Sequence, residues 1–169
     1  MTAPTLTRER ADLIEALQAH RHFLRFTVRG LTDEQAAARS TASELCLAGL
    51  IKHVAHIEAT WADFAARGTQ AFGAQNWSPE AWAAEWRLEP GQTLAGLLAE
   101  YEAVAARTDQ LVATLDLDAA YPLPEAPWFP PGATRSVRRT FLHIVAETAQ
   151  HAGHADILRE SIDGQKTMG

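Results

Sequence analysis

The segment 143–160, HIVAETAQHAGHADILRE, carries four side chains that can bind a metal ion or move a proton, namely His143, Glu147, His151 and His154. At about 100° per residue, the four fall within roughly 80° of arc on one face of a helix. A buried carboxylate is costly unless it is paired or binds a metal, and adjacent imidazoles repel one another when protonated. A divalent cation removes both problems, so the spacing predicts a metal site. A solvated polar groove without metal is the alternative.

One helix rarely closes a metal site alone, and a second long segment carries His53 in LIKHVAHIE. His53 lies at the edge of the apolar stripe of that segment, whereas the other histidine of the motif points toward solvent. We therefore predict His53, Glu147 and His151 as metal ligands, the last two at the i, i+4 spacing that lets one helix hold an ion. His154 or His143 is then a fourth ligand, or a partner that orients the others.

The elements that must position these residues are helices. Apolar residues recur at intervals of three and four in four long segments, at about 7–29, 41–67, 93–115 and 136–163, and no segment shows the period of two typical of a strand. Capping-box patterns begin at Thr32 and at Thr41, and the second of these is predicted to open the long helix that carries His53. Short helices are expected near 32–37 and 78–86. The prolines of the connection 119–136 predict an irregular loop or lid.

These elements predict an all-α fold, an up-down four-helix bundle with short extra helices and one long Pro-rich connection, and bundles commonly build sites from inward-facing side chains. The tryptophan-rich segments 72–86 and 121–131 either pack over the bundle ends or form the walls of a pocket.

Composition limits the function classes. The 169 residues are 47% hydrophobic, which is enough for one domain spanning 1–169. A net charge of -6 and the lack of a basic cluster argue against nucleic acid as a partner. The single cysteine excludes a disulfide framework and a thiolate zinc site, and suits a reducing cytosol. No apolar run approaches the roughly 20 residues of a membrane span, so a soluble, cytoplasmic protein without a membrane partner is expected.

The segments LAGLIKHVAHIEATW and LHIVAETAQHAGHADILRESIDG together resemble the DinB-like superfamily, specifically its mini-circle-protein branch, over nearly the whole chain. That resemblance implies a four-helix bundle, a homodimer, and a divalent metal held by one histidine of the second helix and two residues of the last, here His53, Glu147 and His151. Related members, the bacillithiol transferases and mycothiol-dependent maleylpyruvate isomerase, use a low-molecular-weight thiol as cosubstrate. The chain departs from the common pattern at Glu147, where histidine is usual, and at His154, where HAGH replaces HRGQ.

Two histidines and one carboxylate leave coordination positions open, and an open position on a divalent ion lowers the pKa of a bound thiol or water. The leading hypothesis is a thiol-dependent S-transferase or isomerase for a small-molecule substrate, with zinc or nickel as the ion and His154 or His143 as proton acceptor. A metal-dependent hydrolase uses the same ligands with water as the nucleophile. A non-catalytic metal- or ligand-binding stress-response protein needs a closed coordination sphere, which His154 or His143 would complete.

Overall fold

The computed structural model describes residues 6–73 and 78–167. Its helices are α1 (Arg8–Phe26), α2 (Asp33–Ala37), α3 (Leu47–Arg67), α4 (Pro79–Glu85), α5 (Leu94–Thr114) and α6 (Val137–Asp163), with a 3-10 turn at Gly68–Phe72. Two short strands, β1 (Ala120–Pro122) and β2 (Thr134–Ser136), complete the elements of this part of the chain. The four long helices α1, α3, α5 and α6 pack side by side, which confirms the predicted all-α four-helix bundle.

Contacts between helix ends fix the directions of the long helices. Arg138 in the first turn of α6 donates to Glu9 in the first turn of α1, so these two helices run parallel. α3 runs antiparallel to α6, because His53 contacts His151 whereas Trp61, later in α3, contacts His143, earlier in α6. Both helices pack against α6, with α1 parallel to it and α3 antiparallel to it.

The connection between α3 and α5 returns the chain to the end of the bundle at which α3 begins. Lys52, in the second turn of α3, donates from Nζ to the Ala84 carbonyl at 2.8 Å and to Gln92 Oε1 at 3.2 Å. α5 therefore starts near the start of α3 and runs parallel to it. The helix directions are up, down, down and up, and the strict alternation expected of an up-down bundle does not hold because this connection retraces the length of α3.

The helix that carries His53 begins at Leu47, and the prediction that Thr41 opens it is wrong. The Thr41 hydroxyl accepts instead from the Ser43 backbone N–H at 3.2 Å, a local bond that competes with helix formation. Cys46 is the N-cap, and its Sγ accepts from the Gly49 N–H at 3.4 Å. The thiol is buried, and its role is structural, as the cap at the start of α3.

The Pro-rich connection 119–136 is more regular than the sequence predicts. β1 pairs antiparallel with β2, with Tyr121 opposite Arg135 in the register. A pair of strands has only edges, where a proline such as Pro122 is tolerated. Tyr121 packs against Phe64 near the end of α3, with ring centroids 6.0 Å apart, so the strand pair is fastened to the bundle.

The core follows the predicted apolar stripe of α3. Leu47, Leu50, Val54, Trp61 and Phe64 are all buried, and they divide between two hydrophobic clusters along the bundle. Among the described residues, no helix combines the length and the apolar character that crossing a bilayer requires.

Candidate functional site

The four side chains predicted from α6 form one continuous row. His143 Nε2 lies 3.6 Å from Glu147 Oε1, and Glu147 Oε2 lies 3.8 Å from His151 Nε2. The row continues where His151 Nδ1 lies 3.4 Å from His154 Nδ1. His151 is buried, whereas His143, Glu147 and His154 are partly exposed, so the row opens toward solvent along one side of α6.

His53 meets this row from α3. Its side chain is buried, and its ring packs edge-on against the His151 ring with centroids 4.9 Å apart. The His53 ring also stacks on Trp86 with centroids 4.0 Å apart, and the Trp86 centroid lies 6.0 Å from that of His151. The structure thus brings His53 and His151 together as predicted. Trp86 forms a wall of the site, while Trp77 of the same predicted aromatic connection lies outside the described residues.

Trp86 can approach α3 because position 49 is a glycine. A Cβ added at Gly49 would lie only 2.1 Å from the Trp86 carbonyl oxygen. The Cys46 thiol donates to that same carbonyl at 3.5 Å. The start of α3 therefore holds the end of α4 in place and sets the position of the tryptophan that covers His53.

Glu85, at the end of α4, is a residue of the site that the sequence does not reveal. Its Oε1 lies 2.9 Å from Nδ1 of the exposed His56 and 3.6 Å from Nδ1 of His53, the second distance being too long for an ordinary hydrogen bond. Burial acts to raise the pKa of Glu85, but the two imidazoles outweigh it and lower that pKa to about 2. The carboxylate is therefore ionised at neutral pH. No local spacing indicates the contact, since it depends on how α4 packs against α3.

Two histidines of the row are held neutral at pH 7. Burial, followed by the neighbouring His53 and His154, lowers the pKa of His151 to about 4. Burial, followed by Arg135 and Arg139, lowers the pKa of His143 to about 4. A neutral imidazole is the form that binds metal ions. The same low pKa makes His143 a weak proton acceptor, which counts against its predicted catalytic role.

The predicted ligands meet in pairs. Among residues 6–73 and 78–167, no group of three or more His, Cys, Asp or Glu side chains is arranged to hold a metal ion. The donor set nevertheless fits a divalent ion chemically, because it combines imidazoles with the Glu147 carboxylate. The metal-binding roles of His53, Glu147, His151 and His154 stay predictions.

A groove of about 970 Å³ lies elsewhere, between α1 and α5. Its lining comes mainly from α1, from α5 and from the connection between α1 and α2, and includes none of the five predicted site residues. We locate the candidate site at the row on α6 instead, because the side chains that can carry chemistry converge there.

Comparison with known proteins identifies the family of the chain. The family model of mycothiol-S-transferase matches residues 12–164, which include His53 and the whole row on α6. The match confirms the DinB-like resemblance, and a comparison with curated proteins gives no match. Because the family model covers most of the chain, the protein belongs to the mycothiol-S-transferase family.

Proposed function

We propose that this protein is a metal-dependent S-transferase that joins the sulfur of mycothiol to a small electrophile. The family match supports the transferase class and the thiol. The observation that carries the proposal of a metal is the contact of His53 with His151 across α3 and α6, beside the Glu147 carboxylate. A buried pair of imidazoles next to a carboxylate is the donor chemistry of a divalent site.

His53, Glu147 and His151 would hold the ion, with zinc or nickel expected and with His154 close enough to His151 to join them or to orient His151. When bound, a divalent ion supplies Lewis-acid chemistry that lowers the pKa of a thiol at an open coordination position. The stacked Trp86 shields one face of the His53 ring from water.

In the proposed reaction, the thiol sulfur forms a bond to an electrophilic carbon of the substrate. The leaving group departs from that carbon with the electron pair of the broken bond, and the thiol proton passes to His154 and then to solvent. His154 suits this role because it is partly exposed at the end of the row. His143 packs against Trp61 with ring centroids 4.7 Å apart, so we place it in the substrate pocket.

The test uses mycothiol and the electrophile monochlorobimane, whose S-conjugate is fluorescent. We expect conjugation by the purified protein, its loss after chelation, and its recovery when zinc or nickel is returned. His53→Ala and His151→Ala are expected to lower both bound metal and conjugation by at least about tenfold. His22→Ala is the control, because His22 is an exposed histidine of α1 and does not belong to the row.

Each of the other outcomes supports a different function. Conjugation that survives both chelation and the two variants contradicts the metal. Turnover of an ester or amide with every thiol removed favours the hydrolase, and metal binding without turnover favours the non-catalytic protein. The homodimer implied by the resemblance and the cytoplasmic location predicted from the composition stay predictions.

A further inference from the structure

Arg135, in β2, lies between two aromatic rings at the His143 end of the row. Its guanidinium carbon is 4.4 Å from the centroid of the Trp61 ring and 5.6 Å from that of Phe129. A guanidinium at such distances is attracted electrostatically by the face of the ring. The strand pair and the end of α3 therefore hold Arg135 in a defined position.

The Arg135 guanidinium lacks the partner that its burial calls for. Its Nη1 is buried and makes no hydrogen bond within the described residues. Burial, and then the neighbouring Arg139, lower the pKa of Arg135, while Glu147 acts in the opposite direction. Leaving a buried charged donor without a hydrogen bond is costly, so an unpaired donor of this kind in a native structure needs an explanation. The planar fork of arginine matches a carboxylate, which it can bind through two parallel hydrogen bonds.

The position of Arg135 relates it to the proposed reaction. Trp61, on which it lies, also contacts His143, and His143 continues the row through Glu147 to His151. His143 and His151 are eight residues apart, which is about 12 Å along a helix. A small molecule anchored at Arg135 can thus extend along α6 toward the His53–His151 pair.

We infer that Arg135 binds a carboxylate of the electrophilic substrate, so that the preferred electrophiles are organic acids. The inference rests on the proposed transferase function and adds the class of its second substrate. A purely structural Arg135, clamping the strand pair to Trp61, needs only the contacts with the rings. An Arg135 with this structural role alone predicts no preference for acids.

The binding test compares benzoate with benzamide, which have similar shape but differ in charge. Titration calorimetry is expected to show at least tenfold tighter binding of benzoate to the wild-type protein, and Arg135→Met should reduce that preference to less than twofold. Arg139→Met is the matched control, because it removes an exposed positive charge nearby and should keep the preference. Circular dichroism checks folding, and Arg135→Gln replaces Arg135→Met if the latter does not fold.

The kinetic test uses mycothiol with 4-(chloromethyl)benzoate and with 4-(chloromethyl)benzamide, from which the attacking sulfur displaces chloride. We expect kcat/KM to be at least tenfold higher for the acid in the wild-type protein, with the difference lost in Arg135→Met. Equal binding of benzoate and benzamide by the wild type, or a preference that survives in Arg135→Met, overturns the inference. Consumption of neither electrophile while benzoate still binds through Arg135 contradicts the proposed function and leaves the anion site standing.

Discussion

Glu85 lies beside His53, although the two residues are 32 positions apart in the sequence. Its carboxylate lies 3.6 Å from His53 Nδ1 and is ionised at neutral pH. A carboxylate beside one ring nitrogen of a histidine favours the tautomer that leaves the other nitrogen free to bind an ion. We therefore expect Glu85 to position His53 for the proposed metal.

Glu85→Gln is expected to weaken zinc binding by about 10–100-fold, the usual effect of removing such an outer carboxylate. Competition with a chromophoric chelator measures the affinity. Glu80→Gln, an exposed carboxylate on the same helix, should bind zinc as the wild type does. Unchanged zinc affinity in Glu85→Gln would show that Glu85 does not position His53 for the metal.

At the scale of elements, the site depends on α4, a helix of seven residues without a buried side chain of its own. α4 and the residues after it are held by contacts with α3, and the Trp86 carbonyl lies so near Gly49 that an added Cβ would be 2.1 Å from it. A side chain at position 49 must push this carbonyl away. The stacking of Trp86 on His53 then changes with it.

Gly49→Ala is expected to lower the free energy of unfolding by about 1–3 kcal/mol, as overpacking of a close contact does, and to weaken zinc binding. Gly153→Ala is the control for helix propensity, since a Cβ there meets nothing within 4 Å. It should stabilise the protein by about 0.4–1 kcal/mol. Urea unfolding measures both variants, and a Gly49→Ala protein as stable as Gly153→Ala would refute the close contact.

The elements also show what the sequence can and cannot predict. Periodicity places His53 and His151 on the correct faces of α3 and α6, because helical geometry is local and repeats every 3.6 residues. The pairing of Glu85 with His53, and of Arg135 with Trp61, follows from how α4 and the strand pair pack against α3, which no local period records. The prediction that α3 starts at Thr41 is wrong for a related reason. A capping-box pattern opens a helix only where the residues after it take helical backbone angles.

In the molecule as a whole, a buried ion pair joins α1 to α3. Arg21 of α1 donates to both oxygens of Glu58 of α3, at 3.1 and 2.6 Å, and to Asp109 of α5 at 2.8 Å. Glu58 is 0% exposed and Arg21 4% exposed. Three of the four long helices therefore share one buried network, and His53 lies on the same helix as Glu58.

Loss of one member of this network should destabilise the whole bundle. Arg21→Met leaves the Glu58 carboxylate buried without its cation, and we expect the free energy of unfolding to fall by about 3–5 kcal/mol. The double variant Arg21→Met/Glu58→Met should recover much of that loss, because replacing a whole buried pair by apolar side chains is often close to neutral. Arg8→Met breaks only the exposed pair with Asp12 and should leave stability nearly unchanged. Urea unfolding distinguishes these outcomes, and a single variant no less stable than the double one would show that Arg21 does not compensate the charge of Glu58.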